Sequence, residues 1–350
     1  MKILLIAYVK GNFGDDLFIK TVINRYPDVE FYINSENEEY FKSFKKYSNI
    51  NVILEKRDFS KIDIDFYDAF LYVGGSIFIE SAGTGIKRLN DFREFVLSCK
   101  EKGKKFYYLS SNFGPYETEE YYVAARNLFK ECEDICFRDT YSKKLFEDIE
   151  TVRYAPDLIL ALDFEKQQVL KDSVGVSMID ITKVKGLENL ENEYYEFFKG
   201  NLRNFIAQGK EIYLFSFCKF AGEEDSIEKL LKYFSEKELE KINVVKYDDD
   251  IESFLSEYSK MEYMICIKFH AMILSTVFKQ KKFVLSYYDK LNKVNEDLKL
   301  TRNLFDLKNI SADIYLELEK FDLIDDIKQE EYKKQAEKQF EKLDILLKKK

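Results

Sequence analysis

The stretch "KFHAM", Lys268 to Met272, holds the single histidine of a chain of 350 residues. Imidazole is the side chain that gives and takes protons near neutral pH, and a lysine stands two positions before it. The apolar run "YMICI" reads as a buried strand and "AMILSTVFKQ" as a buried helix, so Lys268, Phe269 and His270 fall at the turn that joins them. There the free N–H groups and positive dipole end of a helix start act together with the lysine charge. Such a turn is an anion site with a proton carrier in it. The plainer reading is a histidine that caps the helix and is satisfied by backbone groups. The next apolar run ends in "LSYYDK", which adds Ser286, Tyr287, Tyr288, Asp289 and Lys290 at a comparable place.

Three further polar groups follow apolar runs. In "YVKGNFGDDLF", Gly11 and Gly14 are three apart and Asp15 and Asp16 occupy the helix start, where a dinucleotide fingerprint would carry G-x-G-x-x-G. Two carboxylates there would repel a pyrophosphate. One of them caps the helix in the simplest reading, and the other, with Asn12, is free to bind hydroxyls or act as a base, which suits a polyol. In "LYVGGSIFIESAGTG" and "LSSNFGPY", Gly74 and Gly75 permit close backbone approach, and Ser76, Ser110, Ser111 and Asn112 offer polar groups. In "CFRDTYS", Arg138 leaves a strand. It either pairs with Asp139 or a surface carboxylate, or presents its planar fork to a carboxylate or phosphate ligand.

The elements that must position these groups alternate along the chain. "ILLIAYV", "VEFYIN", "NVILE", "AFLYVGG", "KFYYLSS" and "DICFRD" form one set of strand candidates, interspersed with helical stretches such as "DDLFIKTVINRY" and "LNDFREFVLSCKEKG". "VGVSMI", "EIYLFSFC", "NVVKY", "YMICI" and "KFVLSYY" form a second set, with "EYYEFFKGNLRNFIAQG" and "DIESFLSEYSKM" among its helices. Strand–helix alternation predicts parallel sheets. Pro156 and the non-alternating "DFEKQQVLKD" put the boundary near 163–172, giving domains over 1–165 and 172–324. From 325 to 350 the spacing of Tyr332, Ala336, Phe340, Leu343 and Leu347 predicts an amphipathic helix. Its closing "KKK" either meets an anionic membrane surface or completes the helix dipole as a solvated basic end. Two open sheets facing one central cleft would gather the strand-end residues there.

Composition narrows the ligand. A net charge of −9 leaves no basic field for nucleic acid, so an anionic ligand must be captured locally. No apolar run approaches the roughly 18 residues of a membrane span. The short run in "MKILLIAYV" lacks a cleavage site, and we expect a cytoplasmic first strand, with at most peripheral contact at the inner face of a membrane. The five cysteines (Cys99, Cys132, Cys136, Cys218, Cys266) show no C-x-x-C pairing and read as reduced thiols, with Cys218 and Cys266 filling core. One histidine and scattered cysteines assemble no zinc or thiolate site, so a metal would need carboxylates.

Taken in order, "GNFGDD", "GGSIF", "NFGP", "FRDTYS", "APDL", "KFHAMIL" and "LSYYDK" resemble the polysaccharide pyruvyl transferase family over about residues 1–289. The resemblance implies two Rossmann-like parallel-sheet α/β domains, similar to the B-type glycosyltransferases, with the first on the acceptor side and the second on the donor side. It implies transfer of pyruvate from phosphoenolpyruvate, as co-substrate and without a further cofactor or metal, onto two hydroxyls of a sugar or lipid-linked oligosaccharide. The product is a cyclic ketal in capsule, exopolysaccharide or cell-wall polymer. By position, Arg138, Lys268 and His270 hold or act on phosphoenolpyruvate, with His270 as the acid or proton relay. Asp15 or Asp16, with Asn12, lies with the acceptor, and an aspartate takes the hydroxyl proton. Gly14, Gly75, Ser76, Asn112, Phe269, Ser286 and Tyr287 complete the substrate-contacting candidates. The chain departs from the family in having Lys268 where arginine is common, and Met178 and Ile179 where an arginine commonly follows the first strand of the second domain. Two other readings fit these residues. One is a nucleotide-sugar glycosyltransferase whose base stacks on Tyr287 and Tyr288, and the other is a non-catalytic carbohydrate-binding protein.

Overall fold

Strands buried on both faces need near-continuous apolar sequence, and the runs named above are strands. The computed structural model describes residues 1–80, 85–302 and 304–347, without the side chains of Asp289 and Lys290. Among these residues the strands form two sheets. In the first, β1 (Lys2–Ile6), β2 (Glu30–Asn34), β3 (Ile50–Ile53), β4 (Ala69–Val73), β5 (Lys105–Ser111), β6 (Asp134–Phe137) and β7 (Val152–Tyr154) lie in the order β3-β2-β1-β4-β5-β6-β7. Every pairing is parallel, with Leu5 beside Leu71 and Leu71 beside Tyr107. Helices α1 (Phe13–Arg25), α2 (Gly85–Glu101), α3 (Glu119–Phe129) and α4 (Thr140–Leu145) occur between strands of this set. The order reverses between β1 and β4, the kind of switch point at which open sheets bind ligands beyond their carboxyl ends.

The second sheet repeats the plan. Strands β8 (Leu170–Ser177), β9 (Glu211–Ser216), β10 (Ile242–Lys246), β11 (Met261–Cys266), β12 (Lys281–Ser286) and β13 (Leu304–Asp306) run in the order β10-β9-β8-β11-β12-β13, all parallel. The helices of this part are α5 (Glu191–Ala207), α6 (Glu223–Leu231), α7 (Glu236–Leu239), α8 (Ile251–Ser259), α9 (Phe269–Val277) and α10 (Asp289–Leu298). The sequence reading starts the first strand of this set at Val174, yet β8 begins at Leu170. Its opening residues are exposed, Asp172 adopts φ 65°, and the pairing with β11 slips register, which erases the apolar signal there.

The chain divides into two compact units. One comprises Met1–Lys10, Asp15–Leu162 and the chain from Glu331 onward; the other comprises Gly11–Gly14 and Asp163–Glu330. The first core gathers rings such as Phe70, Phe95 and Phe106 on one face of its sheet, and the second gathers Tyr194, Phe198, Leu214 and Ile265. The expected single C-terminal helix is α11 (Asp326–Glu337) and α12 (Glu341–Leu346) with a 3-10 turn at Lys338–Phe340 between them. Tyr332, Ala336, Phe340 and Leu343 are buried as the spacing predicts, whereas Leu347 is half-exposed. At the turn, fully buried Gln339 donates to the carbonyls of Ala155 (2.6 Å) and Pro156 (3.0 Å) and accepts from the Ser110 N–H (2.9 Å). The closing "KKK" lies outside the described residues.

Candidate active site

In the second unit the strand ends are polar where the sheet interior is apolar. Ser177 ends β8, and its hydroxyl accepts the N–H groups of Ile267 (2.8 Å) and Lys268 (3.3 Å), which fixes the turn between β11 and α9. Lys268 precedes the first residue of α9, and its side chain does not cap the helix. Its ammonium is paired with the carboxylate of Glu223, the first residue of α6. Glu223 is wholly buried; its other oxygen takes the N–H groups of Phe217 (2.6 Å) and Cys218 (3.1 Å). Burial by itself disfavours the Lys268 ammonium, but the adjacent carboxylate more than offsets this, so Lys268 is held above its ordinary value. Its side chain keeps 19% of its surface open. Tyr287 stands in the same field: burial raises its phenol and Lys268 draws it part of the way back.

The N–H of Phe269 is taken by the Tyr288 hydroxyl at 3.2 Å, and the rings of Tyr287 and Tyr288 meet edge to face at 4.2 Å. Ser286 is buried and turned inward, donating to Asn292 at 2.6 Å. His270 is half-buried on the first turn of α9, and its ring lies directly on Gly14. A Cβ added at Gly14 would stand 2.7 Å from the ring Cγ and nearer still to Nδ1, so only glycine leaves the imidazole its place. The loop bearing Gly14 is tied down within this unit. Phe13 donates its N–H to Phe217 O at 2.9 Å and packs its ring on Phe217, Tyr247 and Phe254. Asn12 bridges to Cys218, and its side chain accepts the Gly14 N–H at 3.0 Å. That bond is the N-cap bond of α1. Asp15 and Asp16, one of which the sequence leads one to expect as the cap, instead fall inside the first turn, where negative charge complements the dipole.

In the first unit the polar strand ends gather around Arg138, which is 2% exposed. One terminal nitrogen pairs with Asp157 and the other donates to Asn112 Oδ1, both at 2.8 Å. The guanidinium covers Gly75, where a Cβ would stand 2.6 Å from Cζ. Asn112 in turn donates its N–H to Gly75 O (2.8 Å), and the Ser76 hydroxyl lies 3.4 Å from Asn112 Oδ1. Burial pushes the Asp157 carboxyl up, and Arg138 with the Ile159 N–H opposes it. Asp139 caps α4, accepting from the Ser142 N–H at 2.7 Å. Asp16 on α1 is also fully buried, while Asp15 is half-exposed.

Each unit thus assembles its own group: Asn12, Gly14, Lys268, Phe269, His270, Ser286 and Tyr287 belong to the second, and Asp15, Asp16, Gly75, Ser76, Asn112 and Arg138 to the first. Three partners were absent from the sequence candidates. Asp157 could have been suspected, because an acid inside the apolar run "APDLILAL" must find a cation if buried. Glu223 follows Gly222 at a helix start and has no comparable signal, nor has Gln339. All five cysteines are buried, and burial raises their thiols, that of Cys266 to about 11, which keeps them unreactive. Among the described residues no three His, Cys, Asp or Glu side chains come together as metal ligands, and no helix is long and apolar enough to cross a membrane. A groove of about 870 Å³ in the first unit, lined by Lys56, Arg57, Phe59, Asp91 and Phe95 among others, includes none of the candidate residues.

In fold the chain is similar to solved B-type glycosyltransferase-like structures. The UDP-GlcNAc 2-epimerase of Methanocaldococcus jannaschii superposes with a TM-score of 0.58 at 11% identity, covering 98% of this chain and 99% of its own. A glycosyltransferase of Rickettsia africae gives 0.54 at 13%, covering 100% and 99%. A putative UDP-N-acetylglucosamine 2-epimerase of Listeria monocytogenes gives 0.54 at 9%, covering 89% and 84%. A search of curated proteins found no match. The family description polysaccharide pyruvyl transferase matches residues 12–289, so the chain belongs to that family and is a transferase that acts in pyruvate transfer to polysaccharide.

Proposed function

We propose that this enzyme transfers pyruvate from phosphoenolpyruvate onto two hydroxyls of one sugar in a cell-surface polysaccharide or its lipid-linked precursor, leaving a cyclic ketal and inorganic phosphate. The observation that carries the reading is the seat of His270. The only imidazole of the chain rests on Gly14, at the start of a helix whose preceding residue is Lys268, and Asp15 and Asp16 follow Gly14 directly in the chain.

The chemistry asks for one proton to arrive and two to leave. His270 delivers a proton to the methylene carbon of the donor, which makes the neighbouring carbon cationic. A sugar hydroxyl adds there and loses its proton to His270 acting as relay or to Asp15, the half-exposed member of the pair, Asp16 being fully buried. The second hydroxyl then displaces phosphate at the same carbon, and its proton leaves with the phosphate. One C–H and two C–O bonds form, and the bond to phosphate breaks. Lys268 supplies positive charge to the donor's anionic groups; Glu223 and Ser177 hold it in place. Arg138, buried and doubly engaged, contributes by fixing Asn112 and Gly75.

Donor choice is tested by thermal shift. Phosphoenolpyruvate should raise the melting temperature of the wild type and do so less in Lys268→Met. A rise with UDP-, GDP- or CMP-sugars and none with phosphoenolpyruvate would overturn the reading in favour of glycosyl transfer.

A further inference from the structure

The His270 ring rests on Gly14 at one end of the Gly11–Gly14 loop; at the other end two side chains converge on Gly11. A Cβ at Gly11 would stand 3.6 Å from the Phe220 ring and 3.7 Å from Asp249 Oδ1. Phe220 is 61% exposed, whereas Phe13, Phe217 and Phe254 of the same unit are buried. Both presenting segments are fixed from behind. Glu223 holds the N–H groups of Phe217 and Cys218, and the Ala221 N–H returns to Cys218 O at 3.2 Å. Asp249 takes a left-handed φ of 57°, and Asp250 next to it caps α8 through the N–H groups of Glu252 and Ser253.

We infer that Phe220 and Asp249 form a subsite for a pyranose ring, the ring's C–H face lying on the phenyl and its hydroxyls donating to the carboxylate. The inference rests on the sugar-acceptor reading above. A hydroxyl-rich neutral ring suits an aromatic face beside a carboxylate, whereas that carboxylate would repel the phosphates of a nucleotide. Gly14 follows Gly11 by three positions, so the loop ends lie at most about 11 Å apart. An oligosaccharide resting on Phe220 therefore brings a neighbouring residue toward His270.

Saturation-transfer NMR with methyl β-D-galactopyranoside, methyl β-D-glucopyranoside and N-acetylmannosamine, and with uridine as the nucleoside probe, tests this without turnover. The wild type should saturate the ring protons of at least one of the three sugars. Phe220→Ala should reduce that binding about tenfold, the loss that goes with exposing roughly half a phenyl face, and Asp249→Asn should weaken it as well. His270→Ala should keep it. An unchanged melting temperature of Phe220→Ala verifies its fold. No sugar signal in the wild type, equal signals in wild type and Phe220→Ala, or a Phe220-dependent signal from uridine alone would overturn the inference. Phe220-dependent sugar binding without pyruvate transfer would leave this subsite standing and remove the proposed chemistry. Transfer together with Phe220-independent sugar binding would do the reverse.

Discussion

Lys282 on β12 is wholly buried, and its ammonium nitrogen has no hydrogen-bond partner among the described residues. Burial pushes it down from 10.5 to about 8, with Cys266 and Asp322 only partly opposing the shift. Because the folded value lies below the unfolded one, the unfolded chain binds more protons between pH 8 and 10.5, and stability rises with pH through that window. Below pH 8 the whole penalty applies. The gap corresponds to about 3 kcal/mol at pH 7 and falls to roughly half of that at pH 9.5. Lys282→Met keeps the apolar stem and removes the charge. Urea unfolding of both proteins should therefore show the variant more stable by up to about 3 kcal/mol at pH 7, with the advantage reduced by about half at pH 9.5. A variant less stable than wild type at pH 7, or one whose difference does not change with pH, would refute the reasoning that an unsatisfied buried ammonium is present.

Two further outcomes follow from the site. Gly14→Ala should push the His270 ring off its seat; a displacement of about 1 Å is enough to cost about 100-fold in turnover, and full activity of the variant would show that the seat is unimportant. Asp157→Asn leaves Arg138 buried without its counter-charge and should lower stability by about 3–5 kcal/mol, measured by denaturant unfolding; a loss below about 1 kcal/mol would show the pair to be dispensable.

The central strands of both sheets could be read from composition because their buried stretches are apolar, as in "ILLI" of β1 and "MIC" of β11. Strands β7 and β13 escaped because three residues, "VRY" and "LFD", carry no period, and they hold their places at sheet edges through pairing with β6 and β12. The site was legible as residue types at strand ends, since Lys268, His270, Arg138 and Asn112 all stand where an apolar run stops. Their partners were not. Glu223 lies 45 positions from Lys268, and Gln339 lies 229 from Ser110; such pairings depend on which loops the fold brings together, and local pattern cannot supply that. The same holds for Gly14, whose lack of a side chain reads as a turn requirement in sequence and is in fact room for an imidazole.

The most direct measurement is the mass of the surface polymer's repeat unit in cells carrying this enzyme or its His270→Ala variant. The account predicts a gain of one pyruvate less one water, in acid-labile ketal form, with the wild type and its loss with the variant. Equal pyruvylation in both, or none in either while the protein is folded and expressed, would contradict it.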